Sequence, residues 1–172
     1  MRILPTTIVH TSCRVDCGSR GETEPKSNYD WSTYFDSVDG SSSNFDKYAA
    51  NKKTTLDEED DVAHVKWGGE WRLPNSAELG ELCSKCTWTW ESRNGVNGYK
   101  VTGTNGNSIF LPAAGHRNDS SLDLAGSDGY YWSSSLSGYD SCSAYELYFD
   151  SSYVSRYGSN RYYGQSVRAV CP

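Results

Sequence analysis

Cys83-x-x-Cys86 is a spacing that could do chemistry, because two thiols so placed are half a zinc site or a redox pair. Zinc needs a second ligand pair, and Cys13-x-x-x-Cys17 is the candidate the sequence offers. Redox chemistry favours a cysteine at a helix N-terminus, where the dipole lowers its pKa. Here Leu79, Leu82, Cys83 and Cys86 recur at i, i+3, i+4 and i+7, so both thiols fall near the end of one helical face. They read as a core thiol and one disulfide half. With Cys142 and Cys171 the chain has six cysteines, an even number that permits a full disulfide set or a mixture of free and paired thiols. Asp57, Glu58, Glu59, Asp60 and Asp61 are dense enough for calcium but lack the alternating ligands and central glycine of such a loop. They read as the acidic first turn of a helix opened by a Thr55/Glu58 capping box, and no metal ligand is assigned. The histidines are His10, His64 and His116. His116, after "LPAAG", reads as a surface loop residue rather than a general base. No nucleophile with a base in reach emerges, so no catalytic residue and no cofactor are assigned.

Tyrosine carries the stronger signal. Of thirteen tyrosines, nine lie in 130–163, and lysine is absent after Lys100. Tyrosine supplies wide amphipathic contact area with few rotors to freeze, while Ser, Gly and Asn adapt around it. Lysine is depleted from binding patches because its ammonium is costly to immobilise and desolvate. The competing reading is that the tyrosines fill a core poor in aliphatic residues. For Tyr130 and Tyr131, beside Trp132, the two readings stand level. In "AYELYFD", Leu147 and Phe149 take one face, with Tyr145 on the same parity; Glu146, Tyr148 and Asp150 take the other, outward face. The expected contact face is 139–163, joined by 116–128. Its residues are Tyr139, Asp140, Glu146, Tyr148, Asp150, Tyr153, Arg156, Tyr157, Ser159, Asn160, Tyr162 and Tyr163. The tyrosines anchor a ligand there, and Asp140, Glu146, Asp150 and Arg156 set charge selectivity at the rim. Val154, Arg161 and "GQSVRAV" read as scaffold.

The elements that must hold this face follow from local patterns. "SNYDWSTYFDSVDGSSSNFDKY" (27–48) is loop-like, with Trp31, Tyr34, Phe35, Phe45 and Tyr48 as anchors. Asn75 and Glu78, after Pro74, form a capping box for a second helix. From Tyr99 the pattern turns to strands: a hairpin around the Gly- and Asn-rich turn 103–107, then 129–136, 143–150 and 165–170. Two helices followed by an irregular antiparallel sheet is an α+β pattern.

At 172 residues the chain suits one domain with a real core, and at 36% hydrophobic and 13% aromatic that core leans on Trp and Tyr. A formal net charge of −6 argues against nucleic acid, which needs a basic patch. No apolar run is long enough to span a membrane. "MRILPTTIVH" is short and broken by Pro5, so it does not read as a signal peptide. The Gly-, Ser- and Tyr-rich composition, with the cysteines, suits an extracellular or virion surface.

"WGGEWRLPNSAELGELC", "CTWTW", "NGVNGYKVTG", "NGNSIFLPAAGHR", "GYYWSSSL" and "YYGQSVRAVCP" resemble the Fibrobacter succinogenes major paralogous domain, and "GETEPKSNYDWSTY" upstream is similar to it. The resemblance covers roughly residues 21–172 as a single domain. Residues 1–20 form a divergent segment in which "HTSCRVDCGSRG" replaces a W-A-x-C-N-V-G-like stretch. The family is similar to the C-type-lectin-like fold of formylglycine-generating enzymes. That implies an α+β architecture of two helices, a small antiparallel sheet and a loop-rich layer. It also implies an exported bacterial protein in which Cys86 and Cys171 are structural. The enzymes' cysteine pair has no residue-by-residue match here. A second resemblance is to variable proteins of diversity-generating retroelements, whose altered AAC-type codons yield Tyr, Asp, Ser, Gly, His, Arg, Ala and Cys. The outward positions carry these types, except Glu146. What this implies is a module on a bacterial cell surface or phage virion that binds a protein or carbohydrate on another cell. The alternatives are an adhesin module without a specific ligand and a formylglycine-generating-like enzyme.

Overall fold

The computed structural model describes residues 21–49 and 53–171. His10, Cys13, Cys17 and the divergent N-terminal segment lie outside the described residues. The elements run α1 (Val62–Trp67), α2 (Ser76–Lys85), β1 (Thr87–Arg93), β2 (Val96–Thr102), β3 (Ser108–Pro112), β4 (His116–Asn118), β5 (Ser121–Asp123), β6 (Gly129–Leu136), β7 (Ser143–Phe149) and β8 (Val154–Asn160). The strands form three sheets, β1-β2-β3, β4-β5 and β6-β7-β8, and every pairing between them is antiparallel. No helix among the described residues is long and apolar enough to cross a membrane.

This β-rich architecture corrects the expected α+β, C-type-lectin-like arrangement of two helices, one small sheet and a loop-rich layer. Three local causes account for the difference. First, the acidic run does not form the first turn of the expected short helix, which begins only after it. Thr55 is extended and bridges Ser135, Glu58–Asp60 makes a single tight turn, and Asp61 caps α1 by accepting from Ala63 N and His64 N. Only six residues of helix follow before Gly68 turns the chain at positive φ. Second, β1 precedes the expected start of the strands at Tyr99. Asn94 and Gly95 both have positive φ, the signature of a tight hairpin turn, and they join β1 to β2. Third, "QSVRAV" is not a regular strand; Ser166 bridges Tyr131 and Val170 bridges Arg72 as isolated contacts.

Other local expectations hold. The hairpin around 103–107 is β2–β3, with Thr102 opposite Ser108. The Asn75/Glu78 capping box is present: Glu78 N donates to Asn75 Oδ1 (2.9 Å) and Asn75 N to Glu78 Oε2 (2.8 Å). Arg72 grips the same carboxylate with both terminal nitrogens, at 2.8 and 2.7 Å. Leu79 and Leu82 of α2 are buried, and Cys83 and Cys86 pack beside them against the core. Both thiols are free, as are those of Cys142 and Cys171, so no disulfide from the Cys83/Cys86 pair is found among the described residues.

The main core lies between the first and third sheets, under α2. It gathers Leu79, Leu82, Tyr99, Val101, Leu111, Ala113, Tyr131, Leu147 and Phe149. The Phe149 ring meets those of Trp88, Trp90, Tyr99 and Tyr131 at centroid distances of 5.4–6.3 Å. Its closeness to β6 fixes Gly129, where a Cβ would lie 2.1 Å from Phe149 Cζ. A second centre forms where the irregular segment 27–48 meets the C-terminal residues. Arg161, fully buried, donates from Nη1 to Asp36 Oδ2 (3.3 Å) and the Tyr48 carbonyl (2.8 Å), and lies 3.9 Å over the Phe45 ring. This is a buried ion pair with a cation–π contact, the role of scaffold expected for Arg161.

Candidate functional site

The third sheet has two faces. Register places Tyr130 opposite Tyr148 and that residue opposite Ser155, while Trp132, Glu146 and Tyr157 form the next row. Because side chains alternate along a strand, Tyr130, Trp132, Glu146, Tyr148, Ser155, Tyr157 and Ser159 share the outer face. Tyr131, Tyr145, Leu147, Phe149, Val154 and Arg156 share the inner one, turned toward α2 and the core.

On the outer face the aromatic rings form one unbroken series. Tyr153 meets Tyr157 (6.3 Å between centroids), then come Tyr148 (5.9 Å), Tyr130 (5.2 Å), His116 (4.6 Å), Tyr163 (5.1 Å), Tyr162 (4.5 Å) and Trp31 (4.9 Å). Tyr153 and Tyr157, 47% and 46% exposed, form the open end. Their hydroxyls are hydrogen-bonded at 3.1 Å, Tyr157 donating, which lowers the Tyr153 pKa and raises that of Tyr157. At the closed end, burial pushes the Tyr162 phenol up to about 12.

Two carboxylates converge beneath this series. The Tyr148 hydroxyl lies 3.0 Å from Asp128 Oδ2 and 3.3 Å from Asp150 Oδ2, and the Tyr130 hydroxyl reaches Asp128 at 3.4 Å. Burial, and after it the Asp128 contact, raises the Tyr148 pKa. Asp150 also accepts from Ser152 N (2.7 Å), Ser152 Oγ (2.8 Å) and Tyr153 N (2.9 Å), which shapes the β7–β8 turn and lowers the pKa of its carboxyl. His116 is not the surface loop residue expected. It opens β4, is half-buried between Tyr130 and Tyr163, and has its Nδ1 buried without a partner among the described residues. Burial lowers its pKa against the opposing pull of Asp123 and Asp128.

Glu146 departs from the expected rim. It is only 4% exposed, although its parity is outward. Gln165 folds over the sheet and donates Nε2 to Glu146 Oε2, and the Ser159 hydroxyl also hydrogen-bonds the carboxylate. Burial outweighs both bonds and pushes the Glu146 pKa up to about 7. Gln165 Oε1 is buried without a donor among the described residues.

The twelve expected site residues therefore divide. Tyr148, Asp150, Tyr153 and Tyr157 come together at one end of the outer face. Tyr162 and Tyr163 continue the ring series, and Asn160 hydrogen-bonds the Tyr162 side chain. Tyr139, 91% exposed, and Asp140 lie in the β6–β7 connection, at the opposite end of β7 and roughly 20 Å away by strand rise. Arg156 leaves the expected face altogether: its parity is inward, Nη1 donates to Ser76 O (2.9 Å), and its guanidinium lies 4.9 Å over the Tyr145 ring. Asp128, Tyr130 and His116 complete the site without having been singled out as contact residues; the segment 116–128 was the clue to two of them, and Tyr130's parity was the clue to the third.

The acidic run forms a different kind of cluster. Asp57, Glu59 and Asp60 bring carboxylate oxygens within 4.8 Å of one another. The Lys47 ammonium pairs with all three, and Asp60 first among them raises its pKa.

No curated protein and no solved structure matches the chain. Residues 87–170, which hold all eight strands and the whole outer tyrosine face, are similar to a family described as a domain of unknown function (DUF8237).

Proposed function

We propose that this chain is a ligand-binding surface module and that the outer face of β6-β7-β8 binds a protein or a glycan. The observation that carries the reading is the asymmetry of that sheet. Its inner face is closed by α2 and the aromatic core, while its outer face presents a continuous series of tyrosines ending in two half-exposed rings. Such rings offer large contact area at low rotamer cost. The segments that hold them are fixed by buried contacts through Arg161, Glu146 and Gln165, so the surface is pre-organised. Exposed positions 139, 140, 153 and 157 carry Tyr, Asp, Tyr and Tyr, residue types that retroelement diversification yields. We extend the proposal to a diversified surface on an exported bacterial or phage protein, tested by sequencing the flanking DNA for a reverse transcriptase and a near-copy of the 3′ end differing at adenines.

The direct test is a screen of the immobilised chain against a displayed-peptide library and a glycan array. A saturable binder is expected. It should be lost in the Tyr148→Ala plus Tyr157→Ala variant, whose circular dichroism should match that of the parent. A binder indifferent to the pair would move the site elsewhere.

A further inference from the structure

We propose that the tyrosine face takes a cationic partner: a basic segment of another protein whose arginine or lysine heads lie over the Tyr148 and Tyr157 rings and meet Asp128 and Asp150. This rests on the reading of that face as a binding surface and assigns the charge of what it binds.

The first support is a charge imbalance. Among the described residues, every ion pair draws its carboxylate from the stretch between Glu22 and Glu91. Asp119, Asp123, Asp128, Asp140 and Asp150 have no such partner among the described residues. The four arginines after Lys100 do not supply one among the described residues: Arg161 is buried on Asp36, Arg156 is tied to α2 on the other side of the sheet, and Arg117 and Arg168 make no ion pair. His116, the basic group beside Asp128, is held toward its neutral form by burial.

The second support is the geometry at Tyr148. One hydroxyl stands within hydrogen-bonding distance of two carboxylates, and it has one proton to give. The other donors to the two acids are neutral, the Tyr130 hydroxyl for Asp128 and the Ser152 and Tyr153 groups for Asp150, so two negative charges face one phenol with no cation between them among the described residues. An ammonium or guanidinium seated there contacts both and offsets half of their combined charge, and a guanidinium offers the planar fork that carboxylates match.

The third support is the rings. Cations are attracted to the faces of tyrosine rings. A phenol that donates to a carboxylate gains electron density in its ring, which strengthens that attraction. Tyr148 and Tyr157 stand at 68° to one another, so together they offer a ring face and a ring edge beside the two acids. The chain's net charge of −6 would steer a basic partner toward it.

The test titrates the full chain, with tyrosine side chains isotopically labelled, with three probes: hexa-arginine, hexa-glutamate and cellohexaose. Hexa-arginine should shift the Tyr148 and Tyr157 signals saturably, hexa-glutamate should not, and the shifts should vanish near about 1 M salt, where charges are screened within about 3 Å. Asp128→Asn should weaken hexa-arginine roughly threefold to fivefold, and Tyr148→Ala plus Tyr157→Ala should abolish its binding. A triple change of Asp57, Glu59 and Asp60 to Asn should leave the Tyr148 and Tyr157 shifts and their midpoint unchanged, which separates this face from general attraction to an acidic protein. Hexa-arginine that binds equally to the Asp128→Asn and paired-tyrosine variants overturns the cationic assignment. Cellohexaose that moves the same tyrosines while hexa-arginine does not also overturns it, and leaves the binding-surface reading standing. If no probe moves either tyrosine, both readings fall.

Discussion

Between Glu22 and Glu91 the chain pairs most of its carboxylates with its own cations, whereas between Asp119 and Asp150 no carboxylate is in an ion pair among the described residues. Lys47 pairs with Asp57, Glu59 and Asp60, Lys53 joins it at Asp57, and Arg72 clamps Glu78 with two nitrogens. In the C-terminal stretch the carboxylates meet hydroxyls and backbone N–H groups instead, as Asp150 does with Tyr148, Ser152 and Tyr153. The first region spends its charges internally, in shaping an irregular segment. The second keeps its charges available at a surface of aromatic rings. That difference is what separates scaffold from the proposed contact face, more sharply than burial does, since many of the tyrosines are half-buried too.

The comparison breaks most readily at Arg161, the cation after Lys100 that crosses to the N-terminal acids. Arg161→Ala leaves Asp36 buried without its cation and should cost about 3–5 kcal/mol, read as a drop in the urea midpoint at unchanged m-value. A loss below about 1 kcal/mol would show that Asp36 is not dependent on it.

Glu146 tests the other region, because it is a buried carboxylate there with no cation beside it among the described residues. Its folded pKa, about 7, lies above the ordinary value of 4.5. Between these values the folded protein holds a proton that the unfolded chain has released, so stability falls as pH rises through that window and levels off above the folded pKa. The difference between pH about 4.5 and about 8 should approach 3 kcal/mol from this group, roughly 1.4 kcal/mol per pKa unit. Glu146→Gln should flatten that slope and stabilise the protein at alkaline pH. A slope unchanged by the substitution would remove Glu146 as its source.

Lys47→Met should cost about 1 kcal/mol, since the lysine is partly exposed and its pairs are screened. The loss should shrink with added salt; a loss indifferent to salt would assign it to packing instead. Asp128→Asn should change stability by less than about 0.5 kcal/mol in either direction. A clearly destabilised Asp128→Asn protein would mean that this carboxylate is structural after all, and the contrast between the two regions would lose its sharpest member.

Local signals were legible in the sequence where residues near one another decide the outcome. The Asn75/Glu78 box, the α2 face through Leu79 and Leu82, the 103–107 turn and the span of β6 all depend on neighbours a few residues apart. The Thr55/Glu58 box had the same spacing but failed, because Thr55 is drawn into extended pairing with Ser135. β1 was missed although Thr87-Trp88-Thr89-Trp90 alternates at the strand period of two and Asn94-Gly95 marks the turn. Parity placed Tyr148 and Tyr157 on the outer face but also placed Glu146 there. Parity cannot foresee that Gln165, 19 residues later, will return to cover it. For the same reason Asp128 was not joined to Tyr148, 20 residues away, and Arg156 was assigned to the wrong side of β8.

The described residues between Tyr29 and Leu56 hold no regular element beyond a short turn, and their partners arrive late: Asp119 for Tyr29, Ser134 for Leu56 and Arg161 for Asp36. Asp36 and Arg161 are separated by 125 positions. At roughly 5–20 residues per second on a ribosome, the early segment therefore waits about 6–25 seconds for the guanidinium that closes over it. During that interval Tyr34, Phe45 and Tyr48 have no finished site to enter, and a chaperone has time to find them.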